Sequence, residues 1–183
     1  MKTLVIDTHY NDILVFSLKD GKIVDKQEVI NKKNNSEYMF SAIKKILDFN
    51  KIDEIIVVNG PGSFTGVRLG VTIAKTLAYT LNIPIKTITS LEVSAISNNV
   101  QNVAISDGNG FYLGNFDNKF NKIKDYVYVG NNDIIDLENY QTKYTIDAEK
   151  IWQFLQNKDA VECHMVNPIY IKKIGVELDK KSN

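Results

Sequence analysis

The sequence predicts an α/β protein of two consecutive lobes on mixed sheets, the second lobe abbreviated. Three observations carry this expectation. Short apolar segments joined by turns open the chain as an antiparallel meander; helices and strands then alternate; and a strand, polar turn, strand pattern returns near residue 103.

Residues 4–7 read as a buried strand, 13–18 as a second and 23–29 as a third, with Asp20-Gly21 as a hairpin turn between the last two. A polar stretch, 31–36, leads to a helix over 37–49 with apolar positions Met39, Phe40, Ile43, Ile46 and Leu47, and Asn34 with Glu37 forms a variant capping box. A strand over 54–58, a helix over 65–81 and a strand over 85–89 follow, and Ser90 is expected to cap a short helix beginning at Leu91. Meander, helix, strand, helix, strand is the order of one ribonuclease-H-like lobe, the unit that actin, sugar kinases and Hsp70 duplicate. The predicted fold is therefore actin-like (ASKHA), with duplicated ribonuclease-H-like lobes at 1–97 and 98–183, the second ending in a C-terminal tail. Its opening, 103–107, then Gly108-Asn109-Gly110, then 111–116, echoes the start of the chain, and a third strand covers 124–129. Beyond it the pattern gives a short helix over 131–139, a strand over 143–146 and an amphipathic helix over 148–156 carrying Ile151, Trp152 and Leu155. Residues 161–165 and 168–171 read as extended, Lys172 and Lys173 as solvated surface, and 177–183 as a polar tail.

Composition narrows the function. The chain has 183 residues, 44% of them hydrophobic, enough for a substantial core without staples. Its 22 basic residues balance its 22 acidic ones, so no general attraction to nucleic acid or membrane is expected, and any grip on RNA falls to another protein. The strand pattern begins at once, with no signal-peptide profile, which predicts a soluble, cytoplasmic protein. Cys163 is the single cysteine and excludes an intrachain disulfide; His9 and His164 are far apart and make no zinc pattern. His-Glu-x-x-His and Gly-x-Ser-x-Gly motifs are both missing from the sequence, which weighs against hydrolysis.

The run Gly60, Pro61, Gly62, Ser63, Phe64, Thr65, Gly66, Val67, Arg68, Leu69, Gly70 joins a strand to a helix and so invites a phosphate-binding reading. A P-loop needs Gly-Lys followed by Ser or Thr where this chain has Gly66, Val67, Arg68, and the dinucleotide fingerprint fails because Gly66 falls one position late. A structural turn is the favoured reading. In the helix behind it Gly66, Gly70, Ala74 and Ala78 recur every fourth residue beside Leu69, Ile73, Leu77 and Leu81. Glycine inside a helix costs about 1 kcal/mol relative to alanine, so Gly70 implies close contact, either within the same domain or with a partner as well.

These residues, with Lys75, Ile83, Pro84, Ile85, Ser90 and Leu91, resemble the signature of the bacterial TsaB (formerly YeaZ) family of tRNA threonylcarbamoyladenosine biosynthesis proteins. Ile6, Asp7 and Thr8, the Ser36-Glu37 helix start, and Pro168, Ile169, Tyr170, Ile171 and Lys172 match family positions in the same order. The resemblance implies an actin-like relative of the TsaD enzyme without its metal site or catalytic role. It implies a heterodimer with a TsaD-type transferase, docking of a TsaE-type P-loop ATPase on that pair, and indirect contact with tRNA. The transferred group is threonylcarbamoyl and its acceptor the adenosine 3′ of the anticodon. Asn35 stands where many members have His, and Ser106, Asp107, Gly108 replace the usual Asp-Ala-Arg. The chain is shorter than a typical member, the deficit lying in the second lobe.

The leading expectation is thus a scaffold and activator with no catalytic residue, no metal and no cofactor of its own. Its partner-binding positions would be Met39, Ile43, Leu47, Gly66, Leu69, Gly70, Ile73, Ala74 and Leu77, and the same face would form a homodimer when the chain is alone. The rival is an actin-like ATPase or kinase, the one reading in which ATP and Mg²⁺ enter. Asp7 and Thr8 would then contact Mg²⁺ and phosphate, residues 107–110 would clasp phosphate with Asp107 helping to position a nucleophile, and Gly62 and Ser63 would supply further nucleotide or anion contacts. A glycoprotease reading has no nucleophile or metal cluster to support it.

Overall fold

A computed structural model describes residues 1–10, 12–30, 36–46, 51–131 and 136–172. Strand β1 (Lys2–Asp7) lies in the middle of a five-stranded sheet of order β3-β2-β1-β4-β5, built with β2 (Ile13–Lys19), β3 (Lys22–Val29), β4 (Glu54–Val58) and β5 (Ile85–Ile88). The meander pairs antiparallel, with Val5 opposite Phe16, whereas β4 and β5 join in parallel, with Ile6 opposite Val57 and Val57 opposite Thr87. This is the predicted ribonuclease-H-like arrangement.

Both faces of β1 and β4 are buried, which is why they read as unbroken apolar runs. Leu4, Ile6, Ile13, Val15, Ile55 and Val57 face helices α1 (Ser36–Ile46) and α2 (Phe64–Leu81). Val5, Phe16, Leu18, Ile56, Val58 and Ile88 face α3 (Ser90–Asn98) and α4 (Ala148–Leu155). Helix α4, from late in the sequence, therefore covers the first sheet. A buried ion pair, Lys86 Nζ to Glu54 Oε2 at 2.8 Å, ties it down, since Lys86 also donates to the Leu155 carbonyl at 2.9 Å.

The second sheet is short, with order β6-β7-β8: Asn102–Ser106, Gly110–Asn115 and Val127–Gly130, all antiparallel. Helix α3 lies between the two sheets, giving Val93 and Ile96 to one core and Leu91 and Ala95 to the other.

Several expectations are corrected. Residues 143–146 form no strand; Gln141 makes a single bridge to Val103, and the following segment is held by side chains, Thr145 Oγ1 donating to Asn98 Oδ1 and Asp147 N to Ser97 Oγ. The third strand of this sheet begins at Val127, not Lys124. Thr89, not Ser90, caps α3: its hydroxyl accepts from Glu92 N and Glu92 Oε2 accepts from Thr89 N, a reciprocal box. The Ser90 hydroxyl instead donates to the Pro61 carbonyl. Residues 163–165 form a 3-10 turn, while Val161 alone is extended, bridging Ile85. Of the helix expected over 131–139, residues 131 and 136–139 are turn or irregular, not helical; residues 132–135, the Asn34 cap, positions 47–49, Lys173 and the tail lie outside the described residues. No described helix is long and apolar enough to cross a membrane.

Candidate functional site

The C-terminal end of β1, the entry to α2 and the C-terminal end of β6 meet at a cleft between the sheets, the place where open α/β sheets hold ligands. The turn into α2 is pressed against β1. A Cβ at Gly62 would overlap the His9 carbonyl, which accepts from Ser63 N at 2.6 Å. Ser63 caps the helix through Gly66 N. Gly70 is equally constrained, because a Cβ there would overlap Thr8 Oγ1, whose hydroxyl donates to the Gly66 carbonyl at 2.6 Å.

Asp7 is 1% exposed and both its oxygens are engaged. Oδ1 accepts from His9 N at 3.0 Å and lies 2.7 Å from His9 Nδ1, while Oδ2 accepts from the Tyr144 hydroxyl at 2.6 Å. Burial pushes the Asp7 carboxyl up, but the His9 charge and the hydrogen bonds from His9 and Tyr144 outweigh it and hold the group below the usual carboxylate range. Burial, reinforced by the Asp7 charge, pushes the Tyr144 phenol far up, so it remains a donor. Across the cleft, Asp107 Oδ1 accepts from Asn109 N at 2.9 Å and Tyr128 OH at 3.0 Å, and Oδ2 pairs with Lys172 at 3.1 Å. Burial raises this carboxyl too, yet those partners leave it lowered.

Of the residues expected at a nucleotide or anion site, Asp7, Gly62, Ser63 and Asp107 line the cleft, and Thr8 lies buried beneath it. As arranged, Asp7 and Asp107 do not fit a Mg²⁺ site, because protein donors occupy the oxygens that would bind it. Among the described residues no group of three or more His, Cys, Asp or Glu is placed to hold a metal ion.

The expected partner-binding positions turn inward. Met39, Ile43, Ile73 and Ala74 belong to the core between α1, α2 and the sheet, and Gly66 and Gly70 are buried on β1. Leu69 and Leu77 are half-buried against that core, and Leu47 lies outside the described residues. Close approach to Thr8 accounts for Gly70 and for the Gly66 carbonyl, and burial in the core for Ala74 and Ala78. The outer surface of α2 consists of Phe64, Thr65, Arg68, Thr72, Thr76, Tyr79 and Thr80.

His9, Tyr144 and Lys172 are site residues that the sequence reading did not assign. The Asp7-Thr8-His9 triplet at a strand end was a usable signal for His9. Tyr144 and Lys172 reach the cleft from 137 and 65 residues away, respectively, and local pattern carries no sign of either.

The sequence profile of the TsaD family, tRNA N6-adenosine threonylcarbamoyltransferase, matches residues 31–141. A Bacillus subtilis protein named tRNA threonylcarbamoyladenosine biosynthesis protein TsaB is 38% identical over 100 residues, 52% of this chain and 44% of that one. The structure of YeaZ from Pseudomonas aeruginosa superposes with a TM-score of 0.73 at 16% identity, covering 92% of this chain and 99% of that one. The chain belongs to the TsaD family. A Clostridioides difficile tRNA N6-adenosine threonylcarbamoyltransferase is 29% identical over 120 residues, 54% of this chain. The chain spans less than half the length of these curated relatives, 44% and 36% respectively. The ASKHA fold thus brings Asp7 and Asp107 to one cleft, each already hydrogen-bonded by its own neighbours.

Proposed function

We propose that this chain is a non-catalytic accessory subunit in the formation of threonylcarbamoyladenosine on tRNA, docking a TsaD-type transferase through the outer faces of α1 and α2. The docking helices belong to the first lobe, 1–97, whose sheet is covered on its other face by α4. A TsaE-type ATPase joins the pair, and tRNA is reached through the partners.

One observation carries this reading: α2 has 18 residues and not one carboxylate, and its solvent face is built from four threonines with Phe64 and Tyr79, 45% and 67% exposed, and a single charge, Arg68, which lies over the Phe64 ring. Solvated helices carry charge of both signs, whereas the core of a protein interface is depleted of charge and rich in aromatics. On α1, beside it on the same face of the sheet, Phe40 is 57% and Tyr38 38% exposed. The name of the Bacillus subtilis relative supports the pathway. The rival ATPase reading loses support because neither cleft carboxylate is available to Mg²⁺, and calorimetry with ATP and Mg²⁺ checks it: micromolar binding with turnover would restore it.

The test uses the outer face rather than the buried stripe. Thr72→Glu and Tyr79→Glu should leave the fold intact, within about 0.5 kcal/mol, because both sites are solvent-facing. Each should weaken binding to the transferase at least tenfold, about 1.4 kcal/mol, in a titration of the purified proteins. Gln153→Glu, on α4 across the sheet, should change nothing. Equal affinity for all three variants would remove α2 from the interface.

A further inference from the structure

The docking face proposed above carries one charge that its neighbours hold ready for a partner. Arg68 stands one turn after Phe64 on α2, its guanidinium carbon lying over the Phe64 ring 3.6 Å from the centroid, and its Nε donates to the Tyr170 hydroxyl at 2.7 Å. The Phe64 and Tyr170 rings pack against each other with centroids 5.3 Å apart, and both residues are 45% exposed. Three exposed residues thus form one cluster, in which the aromatic pair holds the guanidinium by its face and by its edge. Of its five N–H donors the chain uses one, Nε–H, and the four on the terminal nitrogens have no acceptor among the described residues. A fork held in this way gives up little side-chain freedom when it binds.

The surrounding charge selects the ligand. Helices α1 and α2 together carry four cations, Lys44, Lys45, Arg68 and Lys75, against one carboxylate, Glu37. Beside α2 runs the segment 162–172, where His164 packs on Tyr79 and accepts from Lys75 through its carbonyl. Its carboxylate, Glu162, and its lysine, Lys172, stand at opposite ends, and Lys172 is paired with Asp107. Asp7 is buried with His9 and Tyr144, Asp12 lines the cleft, and none of the described carboxylates pairs with Arg68. We infer that Arg68 anchors this interface and takes a carboxylate side chain of the transferase on its terminal nitrogens, apolar side chains of the partner closing over Phe64 and Tyr170. The inference rests on the docking reading above. Arginine and tyrosine are among the residue types that dominate interface energetics, and the guanidinium fork matches a carboxylate bidentately. A tRNA phosphate offers similar oxygens, but one guanidinium grips one phosphate and one face of Phe64 is already covered by Arg68. The 22 basic and 22 acidic residues of the chain add no general attraction to RNA.

The experiment titrates the purified transferase with the full chain and its variants between about 0.05 M and 0.5 M NaCl, a range over which exposed charges become screened. Wild type should lose affinity as salt rises. Arg68→Met keeps an apolar stem without the charge; it should bind at least about tenfold more weakly at low salt, and its affinity should depend less on salt. Arg68→Lys keeps the charge without the fork and should fall between the two. Tyr170→Phe removes only the hydroxyl that positions the guanidinium, and should weaken binding several-fold with the salt dependence of wild type. A merely structural role, pinning the 162–172 segment to α2, would shift the urea midpoint of Arg68→Met and leave the salt dependence of its binding unchanged. Wild-type affinity or wild-type salt dependence in Arg68→Met, while Thr72→Glu still weakens binding, would overturn the inference and leave the docking reading standing. A wild-type chain that does not bind the transferase would remove both. Loss of tRNA binding by Arg68→Met with transferase affinity unchanged would assign the guanidinium to nucleic acid and overturn the inference equally.

Discussion

Thr8 and Gly70 form a contact whose energetics can be measured. Alanine at 70 would gain about 1 kcal/mol of helix propensity, but its Cβ meets Thr8 Oγ1, and overpacking of this kind costs about 1–3 kcal/mol. Gly70→Ala should therefore lose about 1 kcal/mol net in urea denaturation, and adding Thr8→Ala should cost less than the sum of the two single changes, since the second removes the obstruction. Additive losses would show that the two residues do not touch. Tyr144 offers a second measurement. Tyr144→Phe leaves the buried Asp7 Oδ2 without its donor and should cost about 1–3 kcal/mol near neutral pH. The native pKa of Asp7 lies below its ordinary value of 3.8, so its contribution is present above that value and is lost as pH falls through the native pKa. The gap between wild type and Tyr144→Phe should accordingly close on acidification. A gap that is independent of pH would mean that the hydroxyl acts by packing alone.

At the level of elements, the order of β1 to β5 with α1 and α2 was legible because each strand is a short apolar run bounded by turn residues. The direction in which α2 faces was not. Its small row and its bulky row both satisfy a helical period, and periodicity says which residues share a face without saying which face is inward. Thr8 decides it, since only the small row leaves room for a buried hydroxyl beside β1. Helix α4 was visible as an amphipathic segment, but the surface it covers depends on Lys86 and Glu54, which look like ordinary surface charges in sequence. That pair also links to Thr3 Oγ1, which accepts from Trp152 Nε1 at 3.1 Å. Lys86→Met leaves Glu54 charged and buried at 4% exposure and should cost about 3–5 kcal/mol, whereas Lys86→Met with Glu54→Leu should cost much less. If the double variant is no better than the single, the carboxylate is not the source of the loss.

For the whole molecule, the family signature around Gly60 to Gly70 was readable because it lies at a junction where backbone geometry restricts the choice of residue. The cleft was half readable. Asp7, Gly62, Ser63 and Asp107 stand at predicted strand ends and turns, while Tyr144 and Lys172, which engage the two carboxylates, come from distant, irregular segments. Those groups occupy carboxylate oxygens that a Mg²⁺-bound nucleotide would need, which supports the accessory role proposed above. The central claim, that the chain assists a transferase rather than acting alone, is tested most directly by reconstituting tRNA modification from purified TsaD-type transferase and TsaE-type ATPase with and without this chain. The account predicts that threonylcarbamoyladenosine accumulates when the chain is added and that Thr72→Glu lowers the yield in step with lost binding. Full modification in its absence would contradict it.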